Sequence, residues 1–408
     1  MSFWCHVAEG ALASFGGMMV AGQAVFSVLA TSLGATPVGL GLLISLGRLS
    51  VVATFLAAPA VEATRRKKRL VLLLGVGQRL PLLLSAAALV VLGSHHPMAS
   101  LVVLAVLTLC RNVAGALVGP AWLDLIAETI PTGRLARVFG FRQGASATLG
   151  LVAGPACAAI IAGIALPYNY ALLYLIGFAA MLVSWCLFAM VDEVPGDRPR
   201  REATSPWAYF RELLPALRRD VPFRWYLLFR ACVRTSAAVR PFYWAAHVSA
   251  VGVEPGFVAG AFLVASSVAK IVGNTVYPFL GERLGHKTVL GIGVTLRACG
   301  AALAAAAPSN AGFVAVYLLD GLAVAANQSC NSPFMISLTP RDRRVGYATL
   351  LSVALAPVGI VMLPAAGLAV QGLGHAVLFG ATAALLVSSL ALLARAHPRP
   401  GSAEQEED

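Results

Sequence analysis

The chain of 408 residues is 59% apolar and only 12% charged, and its mean hydropathy is +0.81. A soluble globular domain carries about twice that share of charged residues, so the composition excludes an ordinary soluble enzyme and indicates a protein whose solvent is mostly lipid. The formal net charge of +12 indicates either a nucleic-acid partner or a membrane topology, depending on where the cations lie.

Twelve apolar stretches are long enough to cross a hydrocarbon core of ~30 Å, which takes about 20 helical residues each. We number these predicted spans 1 to 12 and expect them to be helices. In chain order they lie near residues 6–30, 37–61, 70–92, 99–122, 138–164, 168–191, 224–249, 256–280, 288–307, 312–336, 345–370 and 375–394. The sequence therefore predicts an all-α membrane protein.

The 30 Lys and Arg residues are distributed unevenly among the loops between these spans. The loops of one side contain none, whereas 22 lie in or beside the loops of the other side and eight lie inside the spans. Because Lys and Arg accumulate in cytoplasmic loops, we expect an inner-membrane protein with both termini in the cytoplasm. No cation precedes the first apolar run, so we expect no cleaved signal peptide. Topology thus explains the net charge, and we expect no nucleic-acid partner.

The longest polar stretch follows span 6 and separates six spans from six. Apolar residues recur in it at helical spacing beside Arg residues, which predicts an amphipathic helix on the inner surface. We therefore predict an N-terminal half of residues 1–191, a cytoplasmic linker of residues 192–223, a C-terminal half of residues 224–394 and a cytoplasmic acidic tail of residues 395–408.

Similar motifs recur at corresponding places in the two halves. Gly75-Val76-Gly77-Gln78-Arg79 in span 3 resembles Gly293-Val294-Thr295-Leu296-Arg297 in span 9. Ala58-Pro59 closes span 2 in the way that Tyr277-Pro278 closes span 8. Six spans repeated in one orientation are typical of transporter halves, whose substrate site lies between them near mid-membrane.

Three short motifs resemble those of the major facilitator superfamily of secondary transporters. The loop after span 8 contains Gly281-Glu282-Arg283-Leu284-Gly285, like the family's basic loop motif. Arg111-Asn112-Val113-Ala114-Gly115 in span 4 is similar to an Arg-x-x-x-Gly element of proton-coupled members. Gly150-Leu151-Val152-Ala153-Gly154-Pro155 in span 5 is similar to an element of exporters, although its small residues equally predict a close helix contact.

The resemblance implies twelve helices in two six-helix pseudo-repeat halves that work by alternating access. It also implies that spans 1, 4, 7 and 10 line the cavity, that spans 2, 5, 8 and 11 flank it, and that the remaining spans are peripheral. By the same resemblance, a cytoplasmic gate would involve Glu62, Arg66, Asp124, Glu282 and Arg283.

Eight cations inside the spans face only two intramembrane acids, Glu9 in span 1 and Asp320 in span 10. At a rise of ~1.5 Å per residue, six of the cations lie near the midplane, with Arg240 nearer the outside and Arg230 nearer the inside. An uncompensated cation at that depth is tolerated only around water or a bound anion. The six midplane cations are Arg48, Arg79, Arg111, Arg234, Lys270 and Arg297.

We interpret the excess cations as an anion-selective cavity, because Arg matches the geometry of carboxylate and phosphate groups. The resemblance makes Arg111, Arg234 and Arg240 the first candidates for substrate binding, with internal ion pairing as the alternative. Arg48 and Lys270 come second. For the repeat-related Arg79 and Arg297 we expect structural bonds inside each half, and for Arg230 a side chain that reaches the inner surface.

The acids Glu9 and Asp320 are candidates for proton coupling, since burial favours the neutral form of a carboxyl group. Their depths also allow Asp320 to be a permanent ion-pair partner of Arg240. After Pro241, where we expect a bend, Phe242, Tyr243 and Trp244 predict either a cap on the cavity or an interfacial aromatic belt.

These observations predict a monomeric secondary transporter that moves a small organic anion, coupled to protons or to a counter-anion. We expect no enzymatic activity, cofactor or metal, because the chain has no nucleotide-binding loop and no spacing of His or Cys typical of a metal site. Two alternatives remain open: proton-driven efflux of amphipathic compounds, and a non-transporting receptor or assembly factor with the same fold.

Overall fold

A computed structural model describes residues 2–21, 23–50, 53, 67–93, 95–129, 132–191, 220–306, 309–339 and 344–397. Within these ranges the regular structure is helical, without strands. Ten of the described helical segments are long and apolar enough to cross a membrane, and they correspond to span 1, spans 3 to 6 and spans 8 to 12. The prediction of an all-α, multi-pass membrane protein is confirmed.

The helix bounds lie close to the predicted spans. In the first part of the chain the helices are Ser2–Ala21, Gln23–Ser32, Pro37–Arg48, Lys67–Leu92, Pro97–Thr129, Thr132–Gly163 and Tyr168–Ala189. In the second part they are Val221–Ser236, Arg240–Ser249, Pro255–Leu284, His286–Ala306, Asn310–Leu338, Arg344–Leu373 and His375–Arg395. Residues 192–219, with the predicted amphipathic helix, lie outside the described residues, as does most of span 2 after Arg48.

Polar side chains at the loop ends fix where several helices begin. The Thr36 hydroxyl accepts a hydrogen bond of 3.1 Å from the Gly39 amide, and Ser309 accepts one of 3.1 Å from Gly312. Each satisfies an amide that has no partner within its own helix. Asp220 begins span 7 in the same way by accepting from the Phe223 amide at 3.2 Å.

Span 7 is broken in its middle. Its two α-helices, Val221–Ser236 and Arg240–Ser249, are joined by the 3-10 turn Ala237–Val239. Pro241 has no amide hydrogen to donate to the carbonyl of Ala237, so a regular α-helix loses one bond at this turn. The α-helix is therefore interrupted beside Pro241, and each of the two segments is too short to count as a span by itself.

The described residues group into two compact units. The first lies within residues 1–206 and 253–264, and the second within residues 207–252 and 265–408. In the second unit, an aromatic cluster of Phe223, Tyr226, Phe229, Phe334 and Tyr347 packs the start of span 7 against spans 10 and 11. Its buried rings hold the polar first turns of span 7 inside the bundle.

Within the first unit, the motif of span 5 contacts the beginning of span 8 backbone to backbone. A Cβ atom placed on Gly154 would lie 2.9 Å from the Gly260 carbonyl oxygen, and one placed on Gly260 would lie 2.9 Å from the Gly154 carbonyl oxygen. No side chain fits in this gap, so the small residues of the motif permit a close helix crossing.

We expect Gly260→Ala to lower the free energy of unfolding by about 1–3 kcal/mol, because the added methyl group forces two helix backbones apart. The matched control is Gly380→Ala, since a Cβ atom at Gly380 meets nothing within 4 Å. Alanine favours a helix, so that variant should be as stable as the wild type or slightly more stable. Thermal unfolding of the purified variants in detergent measures both effects. Equal stability of the two variants would contradict the close crossing.

Candidate functional site

Arg111 is an intramembrane cation of the first unit. It lies in the helix Pro97–Thr129 and makes no hydrogen bond or ion pair with any other described residue. It lines two cavities at once, and Asn112 lines both as well. The Asn112 amide donates to the Gly47 carbonyl at 3.2 Å, which ties span 4 to span 2 next to Arg48. The Arg48 side chain itself lies outside the described part of the chain.

The two cavities differ in the residues that line them. The first, of about 170 Å³, is lined mainly by aliphatic and aromatic side chains, and we call it the apolar cavity. The second, of about 550 Å³, is lined by more polar and charged side chains than the first, and we call it the polar cavity. Besides Arg111 and Asn112, the residues lining the polar cavity include Glu9, Ser50, Gln78, Trp122 and Arg142.

Glu9 in the polar cavity is paired with Arg142. The Arg142 guanidinium donates to the Glu9 carboxylate at 2.6 Å and to the His6 carbonyl at 3.3 Å, and it lies over the Trp122 ring at 4.5 Å. Sequence reasoning placed Arg142 with the cytoplasmic loops and missed this pair. The sequence did contain one indication of it. Glu9 is an acid inside span 1 without an assigned cation, so its partner had to come from another span.

Arg79 is a structural cation, as its peripheral span predicted. Its guanidinium donates to the Met181 carbonyl at 2.8 Å and to the Gly75 carbonyl at 2.8 Å. The side chain is buried and joins spans 3 and 6 within the first unit. Carbonyl oxygens compensate part of the cost of burying this charge.

In the second unit, Asp320 binds two guanidinium groups. Arg240 donates from Nε to the Asp320 Oδ2 atom at 2.8 Å and from Nη2 to the same oxygen, while Arg297 donates to Oδ1 at 3.1 Å. The ion pair between Arg240 and Asp320 that the depth estimates allowed is therefore present. Lys270 of span 8 interacts electrostatically with both members of that pair. Arg297 bonds within the C-terminal half, as predicted. Its partner is the Asp320 carboxylate, whereas that of Arg79 is a pair of carbonyl oxygens.

Arg230 and Arg234 lie on the inner segment of span 7 and differ in their partners. Arg230 donates a short hydrogen bond to the Asn327 side chain of span 10, so the expectation that it reaches the inner surface is wrong. The polar face of span 10 holds it inside the bundle. Arg234 lies against Gly359, and its buried Nε atom has no hydrogen-bond partner among the described residues.

The aromatic residues after Pro241 lie in the core of the second unit. Phe242, Tyr243 and Trp244 are 0%, 4% and 1% exposed, so the interpretation as an interfacial belt is wrong. A side chain that faces lipid or water would be exposed, whereas these rings are covered by protein. His247, one turn further, bonds the Tyr317 hydroxyl at 2.8 Å and is itself fully buried.

The predicted cytoplasmic gate is only partly within the described residues. Glu62 and Arg66 lie outside them, and Asp124 is described by its backbone alone, in the helix Pro97–Thr129. Glu282 and Arg283 are exposed at the end of the span 8 helix. The gate therefore stays a prediction.

The whole fold is similar to that of several transporters of known structure. It matches a mutant of the nucleoside transporter NupG with a TM-score of 0.75 at 12% identity, covering 97% of this chain and 100% of that one. It matches a POT family transporter in complex with a thioalcohol-conjugated peptide with a TM-score of 0.71 at 11% identity, covering 96% and 94%. It matches a bacterial homologue of the iron transporter ferroportin with a TM-score of 0.69 at 15% identity, covering 96% and 97%.

These likenesses show that the chain has a fold found in membrane transporters. The family model of the Major Facilitator Superfamily matches residues 245–408. The match covers 164 of the 408 residues, all in the C-terminal part of the chain, and it agrees with the resemblance that the sequence motifs indicate. No curated protein sequence matches it.

We expect Asp320→Asn to lower the free energy of unfolding by about 3 kcal/mol or more, because it leaves the charges of Arg240 and Arg297 buried without a counter-charge. Glu254→Gln is the control, since it also removes one carboxylate but from an exposed position. Denaturant or thermal unfolding in detergent measures the difference. If both variants unfold like the wild type, the carboxylate is not what compensates these cations.

Proposed function

We propose that the protein is a secondary active transporter that moves a small organic anion across the inner membrane by alternating access. The observation that carries the proposal is Arg111, a guanidinium group that lines two cavities and has no counter-charge among the described residues. A bound anion would supply the negative charge that the described residues around Arg111 do not.

Energetics support this reading. A cation withdrawn from water is strongly disfavoured unless it is paired or bound by hydrogen bonds. In the first unit, Arg79 has carbonyl partners and Arg142 has the Glu9 carboxylate. Arg111 has no such partner among the described residues. Its place inside span 4 therefore points to a ligand that binds it during transport.

The second unit supports the same proposal more weakly. Asp320 occupies both Arg240 and Arg297, so Arg240 is a weaker candidate for direct substrate contact than the sequence suggested. Arg234 and Lys270 make no hydrogen bond or ion pair with other described residues and remain candidates. The cations of this unit exceed its buried acids, which again favours an anionic cargo.

For coupling, Glu9 is a better proton carrier than Asp320. Both oxygens of Asp320 accept charge-assisted hydrogen bonds from guanidinium groups, which favours a permanently ionised pair. Glu9 accepts a hydrogen bond from one guanidinium group, that of Arg142, and it lines the polar cavity. We therefore propose that proton coupling, where it occurs, uses Glu9.

The transporters of similar fold do not select the cargo. Their names refer to nucleosides, peptides and iron, three unrelated kinds of substrate. One fold thus carries many cargoes, and the choice has to rest on the site of this chain.

We expect Arg111→Gln to lower counterflow of labelled organic anions in proteoliposomes by at least about tenfold, which corresponds to ~1.4 kcal/mol of lost binding. Arg69→Gln is the matched control, because it removes one cation from an exposed position of the same unit. Thermal unfolding checks that both variants are folded. Equal counterflow in the two variants would remove the anion proposal. Accumulation of lipophilic cations under a pH gradient would instead favour efflux, and absence of any flux would favour a non-transporting role.

We expect Glu9→Gln to abolish anion accumulation driven by a pH gradient while counterflow at equal pH persists. Counterflow needs only substrate exchange, whereas accumulation needs a group that binds and releases the proton. The two assays are run on the same proteoliposomes, so that loss of both would indicate misfolding or lost binding. Accumulation at the wild-type level would show that Glu9 does not carry the proton.

A further inference from the structure

We propose that the substrate of this site is a monocarboxylate with a compact apolar body, of the size of a single aromatic ring. This inference rests on the proposed function and adds the chemical class of the anion. It follows from the way that Arg111 joins the two cavities of the first unit.

The position of Arg111 separates two environments. On one side lies the polar cavity, which Gln78 also lines, while Asn112 lines both cavities and its amide donates to the Gly47 carbonyl. On the other side lies the apolar cavity, whose wall includes Phe26, Leu82 and Leu107. A ligand whose charged group binds Arg111 can therefore place its remaining atoms among apolar side chains.

The apolar cavity limits the size of that body. Its volume is about 170 Å³, and aliphatic cavities of about 150 Å³ admit a benzene ring. Removing such a ring from water is favourable roughly in proportion to its apolar area. An anion without an apolar body would leave this cavity empty and lose that contribution.

The charge of the site limits the charge of the ligand. Among the described residues that line the two cavities, the ionised groups are Glu9, Arg111 and Arg142, and the first pairs with the last at 2.6 Å. While Glu9 is ionised, one positive charge is left. A guanidinium group binds one carboxylate through two parallel hydrogen bonds, whereas a second carboxylate would be desolvated without a partner.

Besides Arg111, the polar side chains that line the apolar cavity are Ser85, Thr108, Asn112 and Tyr174. Thr108 precedes Arg111 by one helical turn, and the Tyr174 ring also lines this cavity. The Ser85 hydroxyl already donates to the Pro81 carbonyl at 2.7 Å. Ser85 and Asn112 are therefore already hydrogen-bonded, and most of the other lining side chains are aliphatic or aromatic, which favours a hydrocarbon body.

Benzoate is the probe, compared in one series with three relatives of changed chemistry. Acetate lacks the apolar body, phthalate adds a second carboxylate, and benzamide removes the charge. Binding to the purified wild-type protein is measured by thermal shift and titration calorimetry, and exchange is measured in proteoliposomes. We expect benzoate to bind at least about tenfold more tightly than each relative.

Two tryptophan variants test the cavity itself. Leu107→Trp fills the apolar cavity and should abolish the preference for benzoate over acetate, while acetate exchange persists. Leu73→Trp is the matched control, because Leu73 is 70% exposed and lines neither cavity. It should keep the wild-type preference. If the Leu107 variant does not fold, the ligand series with the wild-type protein decides the question alone.

The outcomes separate this inference from the proposed function. Equal or tighter binding of acetate or phthalate, with exchange that depends on Arg111, would overturn the inference and leave the anion transporter standing. Preference for benzoate in Leu107→Trp would also overturn it, since the body would then lie elsewhere. Binding of benzamide as tight as that of benzoate would overturn the role of the charge. No exchange of any anion would remove both proposals together.

Discussion

The cost of holding a guanidinium group away from water governs the polar chemistry of this protein. A charge of this kind needs oxygen atoms around it, from carboxylates, carbonyls or a ligand. Arg142 has Glu9, Arg79 has two main-chain carbonyls, and Asp320 serves Arg240 and Arg297 together. Arg111 has none of these among the described residues. The proposed function rests on this difference between Arg111 and the cations that have oxygen partners.

The repeat-related arginines illustrate how one sequence motif is satisfied in two ways. Arg79 and Arg297 occupy matching places in spans 3 and 9, and both are buried. Arg79 donates to main-chain oxygens that any sequence would present. Arg297 depends on the Asp320 side chain, so its compensation can be lost by a single substitution. Arg297 is therefore more sensitive than Arg79 to the substitution of a single side chain.

The extent of the helices could be predicted because it depends on local properties. Apolar length, terminal caps and prolines lie in the sequence, and the bounds of span 10, expected near residues 312–336, are Asn310–Leu338. The partners of buried charges depend on how helices rotate against one another. Glu9 and Arg142 are separated by more than a hundred residues, and no periodicity connects them. Likewise, burial of Trp244 could not be distinguished from an interfacial position, since both place an aromatic ring near a span end.

The break in span 7 divides the cations of that span between two short rods. Arg240 belongs to the outer rod, which Asp320 anchors to span 10, whereas Arg234 belongs to the inner rod beyond the 3-10 turn. Because a 3-10 turn has poorer hydrogen-bond geometry than a continuous α-helix, the two rods are joined less firmly than two parts of one helix. Both rods are tied to span 10, the outer one by Asp320 and the inner one by the hydrogen bond between Arg230 and Asn327, so the cations on either side of the turn are held at separate places along that helix.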